Sequence, residues 1–153
     1  MSELVRGSSV PLFDRLSSAG ELSITSRQLF TPEQLELSIG RELSRLMNTR
    51  SRLTISQFPE SGGTTLDYGI PDISALVPQS DADLELLQAT VRQAVTFYEP
   101  RLKDVTVKAF RSTDSGTSAT LLIGGTVTIG LKLRQLNFEL QLDPRQGNAP
   151  KAT

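Results

Sequence analysis

The sequence predicts an α+β domain in which N-terminal helices pack on one face of an antiparallel β-meander of about three strands. In the first hundred residues, two segments repeat apolar residues at the helical period. After residue 101, three segments alternate apolar and polar residues, which is the period of a strand. The 153 residues, 37% of them hydrophobic, supply one core. We therefore expect a single domain over residues 31–147, an N-terminal arm over 1–30 and a frayed tail over 148–153.

The composition excludes several classes of function. The chain has no cysteine and no histidine, so disulfides, thiolate nucleophiles, histidine triads and histidine-based zinc sites are all excluded. Sixteen Lys and Arg against seventeen Asp and Glu give a net charge of −1, which creates no overall field toward nucleic acid or anionic lipid. No apolar run approaches the ~20 residues of a membrane span, and the N-terminus lacks the order of a signal peptide. We expect a cytoplasmic protein that binds no nucleic acid, inserts into no membrane and carries no cofactor.

The arm contains one short apolar cluster, Val10-Pro11-Leu12-Phe13 followed by Leu16, between stretches that contain Ser and Gly. We expect a short helix over residues 12–16 that lies on the domain, and the alternative is a mobile tail.

The first long helix begins at Thr31-Pro32-Glu33-Gln34, where Thr31 is the N-cap, Pro32 occupies the first helical position and Gln34 closes a capping box. An apolar stripe follows at Leu35, Ile39, Leu43, Leu46 and Met47. The pattern predicts a helix over Pro32–Asn48, with a charged and solvated opposite face.

Residues 49–80 are rich in Gly, Pro and Ser and contain Thr65-Leu66-Asp67-Tyr68-Gly69-Ile70-Pro71-Asp72. Gly69 can adopt φ values closed to other residues, and Pro71 biases Ile70 away from helix, so we expect a specific bend. This bend is either a turn packed against the core or a contact surface, and the two do not exclude each other.

The second long helix opens at Ser80-Asp81-Ala82-Asp83 and carries the clearest helical periodicity of the chain. It leads into Glu99-Pro100-Arg101, where the proline should stop it at or just before Glu99. We interpret this stiff turn as a docking corner that presents a carboxylate and a guanidinium to another surface. Alternatively, Glu99 and Arg101 pair with each other or with neighbours on the same surface, which contributes ~0–1 kcal/mol at an exposed site.

Three strands follow. The first begins at Leu102 and places Val105, Val107 and Ala109 on one face, and a turn at residues 112–116 ends it. The second covers residues 118–130 and is interrupted at Gly124-Gly125 by a bulge or a close backbone approach. The third covers residues 131–142, with an apolar face at Leu136, Phe138, Leu140 and Leu142. Three strands leave edges that a partner chain can extend.

Paired carboxylates are the one catalytic arrangement that the composition permits. The candidates are Asp67, Asp72, Asp81, Asp83 and Glu99. No pattern in the sequence raises the pKa of one of them or fixes its distance from another, and helix capping explains Asp81 and Asp83. We therefore expect no enzyme.

Three motifs occur in order along the chain: Leu12-Phe13-Asp14-Arg15-Leu16, Leu66-Asp67-Tyr68-Gly69-Ile70-Pro71-Asp72 and Tyr98-Glu99-Pro100-Arg101-Leu102. With the strands that follow, they resemble the TssE family of type VI secretion baseplate proteins, which belongs with the lysozyme-like wedge protein of the T4 phage baseplate. The resemblance spans residues 12–147. Asp67 departs from the family, in which asparagine is common at this position.

The resemblance implies a non-catalytic baseplate subunit that binds other wedge proteins and acts as a template for the contractile sheath. The implied partners are wedge proteins of the TssF, TssG and TssK types, a spike hub of the VgrG type and sheath proteins of the TssB and TssC types. The implied location is the inner face of the cytoplasmic membrane of a Gram-negative bacterium. The implied protein-binding residues are Glu99, Pro100, Arg101, Tyr68, Gly69, Pro71 and Asp72.

Two alternatives remain. One is a lysozyme-type enzyme that cleaves peptidoglycan through a carboxylate pair, for example with Glu99 as the acid. The other is a regulator, because a stress-response anti-adaptor shares this fold family and binds another protein without chemistry.

Overall fold

A computed structural model describes residues 31–111 and 118–142. In them, two long helices precede three strands: α1 (Pro32–Asn48), α2 (Asp81–Tyr98), β1 (Lys103–Arg111), β2 (Ala119–Ile129) and β3 (Lys132–Leu142). The strands pair antiparallel in the order β1-β2-β3. The predicted α+β class is confirmed. The arm helix, the turn at residues 112–116 and the C-terminal tail lie outside the described residues.

The predicted start of α1 is confirmed in detail. The backbone N–H of Thr31 donates to Oε1 of Gln34 at 3.0 Å, and the backbone N–H of Gln34 donates to Oγ1 of Thr31 at 3.3 Å. Both bonds satisfy N–H groups that the first turn of a helix leaves without intrahelical partners. The predicted apolar stripe of α1 is buried throughout.

The second helix, α2, also has the predicted bounds. Oγ of Ser80 accepts from the backbone N–H of Asp83 at 3.3 Å and caps the first turn. At the other end, the N–H of Glu99 donates to the carbonyl of Val95 at 2.9 Å. Pro100 has no N–H with which to continue this ladder, so the helix ends at Tyr98.

One face of the sheet carries the core. Its buried apolar side chains on β2 and β3 are Ala119, Leu121, Ile123, Val127, Leu136, Leu140 and Leu142. The helix α2 packs along β1, and α1 reaches β3, where Gly40 lies against the ring of Phe138. Both helices therefore cover the same face, as the sequence predicts.

The interruption predicted in the second strand is wrong, because β2 pairs with β3 without a break from Ala119 to Ile129. The irregularity lies in β1 instead, between Lys103 and Thr106, where Asp104 adopts a φ of 51°. The close backbone approach predicted at Gly124-Gly125 is confirmed. A Cβ on Gly125 would lie 2.5 Å from Cγ of Leu102, so the space for a side chain is already occupied by the start of β1.

Within residues 31–111 and 118–142, neither helix combines the length and apolar character that a membrane crossing requires.

Candidate protein-binding site

The Glu99-Pro100-Arg101 corner is held together by its own two charged side chains. Nε of Arg101 donates to Oε1 of Glu99 at 2.7 Å, and Nη2 donates to Oε2 at 2.6 Å. This is the fork-to-fork geometry in which an arginine binds a carboxylate most strongly. The turn at Pro100 brings the pair together, because the N–H of Leu102 donates to the carbonyl of Glu99 at 3.1 Å.

The ion pair is buried rather than exposed. Glu99 is 2% exposed, and the side chain of Arg101 is 14% exposed. The pairing of Glu99 with Arg101, which the sequence offered as one alternative, is thus present. The expectation that this pair lies at an exposed site is wrong. The carboxylate faces its own arginine, and a small part of the Arg101 side chain remains exposed.

The corner is also bonded to the first helix. Nη1 of Arg101 donates to Oγ of Ser38 at 3.0 Å, and Ser38 is itself buried within α1. Three of the five guanidinium N–H groups are therefore used by Glu99 and Ser38. Two N–H groups of Arg101 have no hydrogen-bond acceptor among the described residues.

The Tyr68-to-Asp72 motif runs beside the residues that follow α1. The N–H of Ile70 donates to the carbonyl of Thr49 at 2.9 Å, and the N–H of Ser51 donates to the carbonyl of Ile70 at 2.8 Å. Gly69 has a φ of 116°, and a Cβ on it would lie 2.5 Å from the carbonyl oxygen of Thr49. The specific bend predicted here requires glycine for both its backbone angle and its close approach.

Asp67 anchors the start of this motif. Its Oδ1 accepts from Nε of Arg52 at 2.8 Å, and its Oδ2 accepts from Oγ1 of Thr64 at 2.6 Å. The hydrogen bond from Thr64 and then the contact with Arg52 lower the pKa of the Asp67 carboxyl below its ordinary value. Because both carboxylate oxygens accept hydrogen bonds, an asparagine at this position would replace one acceptor with a donor.

An aromatic contact joins the motif to the corner. The rings of Tyr68 and Tyr98 pack edge to face with their centroids 5.1 Å apart, and Tyr98 directly precedes Glu99. Burial, together with the charges of Glu42 and Glu99, raises the pKa of the Tyr68 hydroxyl. The two motifs that the sequence singled out separately are therefore parts of one continuous region.

The remaining predicted residues differ in exposure. Pro71 is fully buried and shapes the bend from inside. Asp72 is exposed and pairs with Arg50, whose Nη1 lies 3.1 Å from Oδ1 of Asp72. The sequence left two interpretations of this bend open. The buried residues form a turn packed on the core, and Asp72 adds an exposed charged group at its end.

The family model described as baseplate wedge protein gp25 matches residues 33–134, more than half of the chain. The chain belongs to this family. The resemblance to wedge proteins noted from the motifs is thereby confirmed. Among solved structures, one chain of "The baseplate complex from the type VI secretion system" is 24% identical, with a TM-score of 0.51 and coverage of 72% of this chain and 96% of that chain. That likeness supports the fold. Comparison with curated proteins finds no match.

The carboxylates that the sequence offered for catalysis all have structural bonds in this gp25-family chain. Asp81 pairs with Arg111, and Asp83 accepts from the N–H of Val77 at 2.9 Å. The backbone N–H of Ser74 lowers the pKa of Asp72, as Thr64 and Arg52 lower that of Asp67. A general acid needs the opposite, a raised pKa. Among the described residues, no three acidic side chains are grouped so as to hold a metal ion.

Sequence reasoning missed three residues of the region: Ser38, Arg52 and Thr64. Each makes its contact with a residue that lies far away or in an irregular segment, and no periodicity marks it. Arg52 and Thr64 flank a loop whose path the sequence does not determine. Ser38 lies on the buried side of α1. This position could have indicated that its hydroxyl needs a hydrogen-bond partner.

Proposed function

We propose that this chain is a non-catalytic structural subunit of a type VI secretion baseplate wedge, which binds other wedge proteins through the corner and supports assembly of the contractile sheath. The membership of the gp25 family and the fold shared with a type VI baseplate chain support this proposal. The proposed place of action is the cytoplasmic side of the inner membrane.

The observation that carries the proposal is the pair of N–H groups of Arg101 that find no acceptor within the described part of the chain, beside a buried carboxylate. Glu99 fixes the guanidinium in one orientation, so little side-chain entropy remains to be lost when a partner binds. A carboxylate or carbonyl of a neighbouring wedge protein would complete the five bonds of the guanidinium. Glu99 is thus a positioning residue, and Arg101 makes the contact.

The neighbouring Tyr68-to-Asp72 segment extends this surface. Asp72 and Arg50 present an exposed pair of opposite charges at its rim, and such rim pairs influence partner orientation more than affinity. Gly69 and Pro71 act through the backbone, because they fix the bend that carries Asp72. The proposed partners are wedge proteins of the TssF, TssG and TssK types, a VgrG-type hub and TssB- and TssC-type sheath proteins.

The test is co-purification of TssF- and TssG-type proteins from host cells that express tagged wild-type or variant chains. The informative variant combines Glu99→Leu with Arg101→Met, because apolar residues of similar volume often replace a buried ion pair without loss of stability. We expect this variant to fold, as judged by thermal unfolding, and to lose partner binding by about 30-fold, as for a hot spot of about 2 kcal/mol.

Arg92→Met is the matched control, since Arg92 is an exposed arginine on α2 outside the corner. It should bind partners like the wild type. Retention of wedge proteins by a folded double variant would contradict the docking role of the corner. Absence of wedge proteins from the wild-type purification would contradict the baseplate assignment itself.

A further inference from the structure

An apolar cleft opens where α2 begins. It lies between the loop before α2, the first turns of that helix and the end of β3. Its apolar walls include Ile73, Leu76, Val77, Leu84, Leu87 and Leu142. The cleft has about 320 Å³ of open space, part of which is continuous with solvent. The side chains of residues 31–111 and 118–142 leave this space unfilled.

The floor and the rim of the cleft differ in exposure. Leu87 and Leu142 form the floor and are 5% and 3% exposed, whereas Val77 at the rim is 51% exposed. Oδ2 of Asp83 accepts from the backbone N–H of Val77 at 2.9 Å and so fixes the loop over the start of α2. The cleft is therefore preformed, and it suits apolar side chains that would cover Val77.

Two segments that adjoin the cleft in sequence cannot supply such side chains. Residues 112–117 precede β2 and residues 143–153 follow Leu142, yet neither segment contains Leu, Ile, Val, Met or Phe. Residues 1–30, which precede the described part of the chain, do contain large apolar residues. The arm is thus the segment of this chain whose composition matches the cleft.

The densest apolar cluster of the arm is the one that ends at Leu16. It consists of Val10-Pro11-Leu12-Phe13 followed by Leu16. In the helix predicted for residues 12–16, Leu12, Phe13 and Leu16 occupy positions i, i+1 and i+4 and share one face. The proposed function gives this motif no role.

The arm joins the domain about 30 Å from the cleft. Glu33, in the first turn of α1, lies within electrostatic reach of Arg134, near the start of β3. Thr31 therefore lies near the start of β3, and Leu142 lies at its end. The eight residues from Arg134 to Leu142 rise about 27 Å along the strand.

The length of the arm selects which of its residues can reach the cleft. Leu16 lies fifteen residues before Thr31, and a chain of that length spans up to about 50 Å. The apolar residues between positions 22 and 30 have at most about 30 Å of chain, even when it is fully extended. Only the more distant cluster has chain to spare for docking.

We propose that the arm docks into the cleft of its own chain and that Leu12, Phe13 and Leu16 are its anchors. Arg15, between the last two anchors, carries the charge opposite to that of Asp83 at the rim. The cleft lies about 21 Å from the corner, because fourteen residues of α2 separate Leu84 from Tyr98. The docked arm leaves the corner accessible, so this inference does not rest on the proposed function.

Disulfide trapping tests the docking. The chain has no cysteine, so two introduced thiols report their own proximity. In the purified full chain, Ser17→Cys beside the anchor Leu16 should pair with Val77→Cys in a glutathione redox buffer. Ser17→Cys with Leu66→Cys is the matched control, because Leu66 is also apolar and is 75% exposed. We expect the first pair to form an intramolecular disulfide at least ten times faster.

Several results of this experiment would overturn the proposal. Equal rates for the two pairs would mean that the arm has no preferred place. Disulfides formed mainly between two chains would assign the cleft to a second copy. Addition of Phe13→Glu to the first pair should slow its closure to the rate of the control. An unchanged rate would show that Phe13 is not an anchor.

A second measurement uses fluorescence. The chain has no tryptophan, so Phe13→Trp introduces a single reporter. Its emission should lie at shorter wavelength in the folded chain than in urea, and Val77→Glu should shift it to longer wavelength. Leu66→Glu is the control and should leave the emission unchanged. Emission from the folded chain at the wavelength of the unfolded chain would overturn the proposal and leave the cleft to another protein.

Discussion

The hydroxyl of Tyr98 donates to the backbone carbonyl of Thr64 at 3.1 Å and so joins the end of α2 to a loop 34 residues earlier in the chain. The edge-to-face contact between Tyr98 and Tyr68 lies beside this bond. Together they hold the corner and the Tyr68-to-Asp72 segment in one fixed arrangement.

Removal of the Tyr98 hydroxyl tests how much its hydrogen bond to Thr64 contributes to stability. Tyr98→Phe keeps the ring contact with Tyr68 and loses the hydrogen bond to Thr64. We expect the free energy of unfolding to fall by about 0.5–1.5 kcal/mol, the net contribution of one intramolecular hydrogen bond. Urea denaturation followed by circular dichroism measures the change. An unchanged midpoint would show that water satisfies the Thr64 carbonyl equally well.

Loss of one partner of the buried ion pair is expected to be costly. Arg101→Ala leaves the Glu99 carboxylate buried without its counter-charge, and we expect it to lower the free energy of unfolding by about 3–5 kcal/mol. The double replacement Glu99→Leu with Arg101→Met should recover most of that loss, because no uncompensated charge remains. Denaturant titrations of the single and double variants measure both values. Similar stability of Arg101→Ala and wild type would contradict the burial of the pair.

The packing of Leu102 onto Gly125 gives a prediction about volume. Gly125→Ala places a methyl group 2.5 Å from Cγ of Leu102 and 2.9 Å from the carbonyl oxygen of Lys103. We expect a destabilisation of about 1–3 kcal/mol, as for other overpacked sites. Gly62→Ala is the control, since no heavy atom lies within 4 Å of the added methyl group. Thermal unfolding compares them, and equal melting temperatures would refute the close approach.

The lowered pKa of Asp67 predicts how the stability of the fold changes in acid. Its pKa is lowered in the folded state, so the unfolded chain binds the proton more readily near the ordinary value of 3.8. Its stabilising contribution is therefore complete above that value and is lost as the pH falls through the lower folded pKa. Asp67→Asn should flatten the dependence of stability on pH below 4 while it leaves the slope above pH 5 unchanged. Urea midpoints measured from pH 2.5 to 7 test this.

The regular elements were predictable because their signals are local. The capping box at Thr31 and the stop at Pro100 depend on residues adjacent in sequence, and both predictions agree with the structure. The shape of the site was harder to foresee, because it depends on contacts between distant residues, such as Arg101 with Ser38. The sequence placed Glu99 and Arg101 at one corner, yet no pattern in it indicates that α1 covers them. At Gly124-Gly125 the sequence predicts a bulge or a close backbone approach. The close approach is present, whereas the shift of register lies in the partner strand, β1.

The meander has a consequence for the order of folding. Each strand of the sheet pairs with its neighbour in sequence. The hydrogen bond between Tyr98 and Thr64, in contrast, closes a long loop. Short loops lose less chain entropy on closure and form faster. We therefore expect the sheet to form early and the Tyr68-to-Asp72 segment to dock late. A newly synthesised chain would then complete the proposed wedge-binding surface last, so recruitment through that surface would select chains that have finished folding.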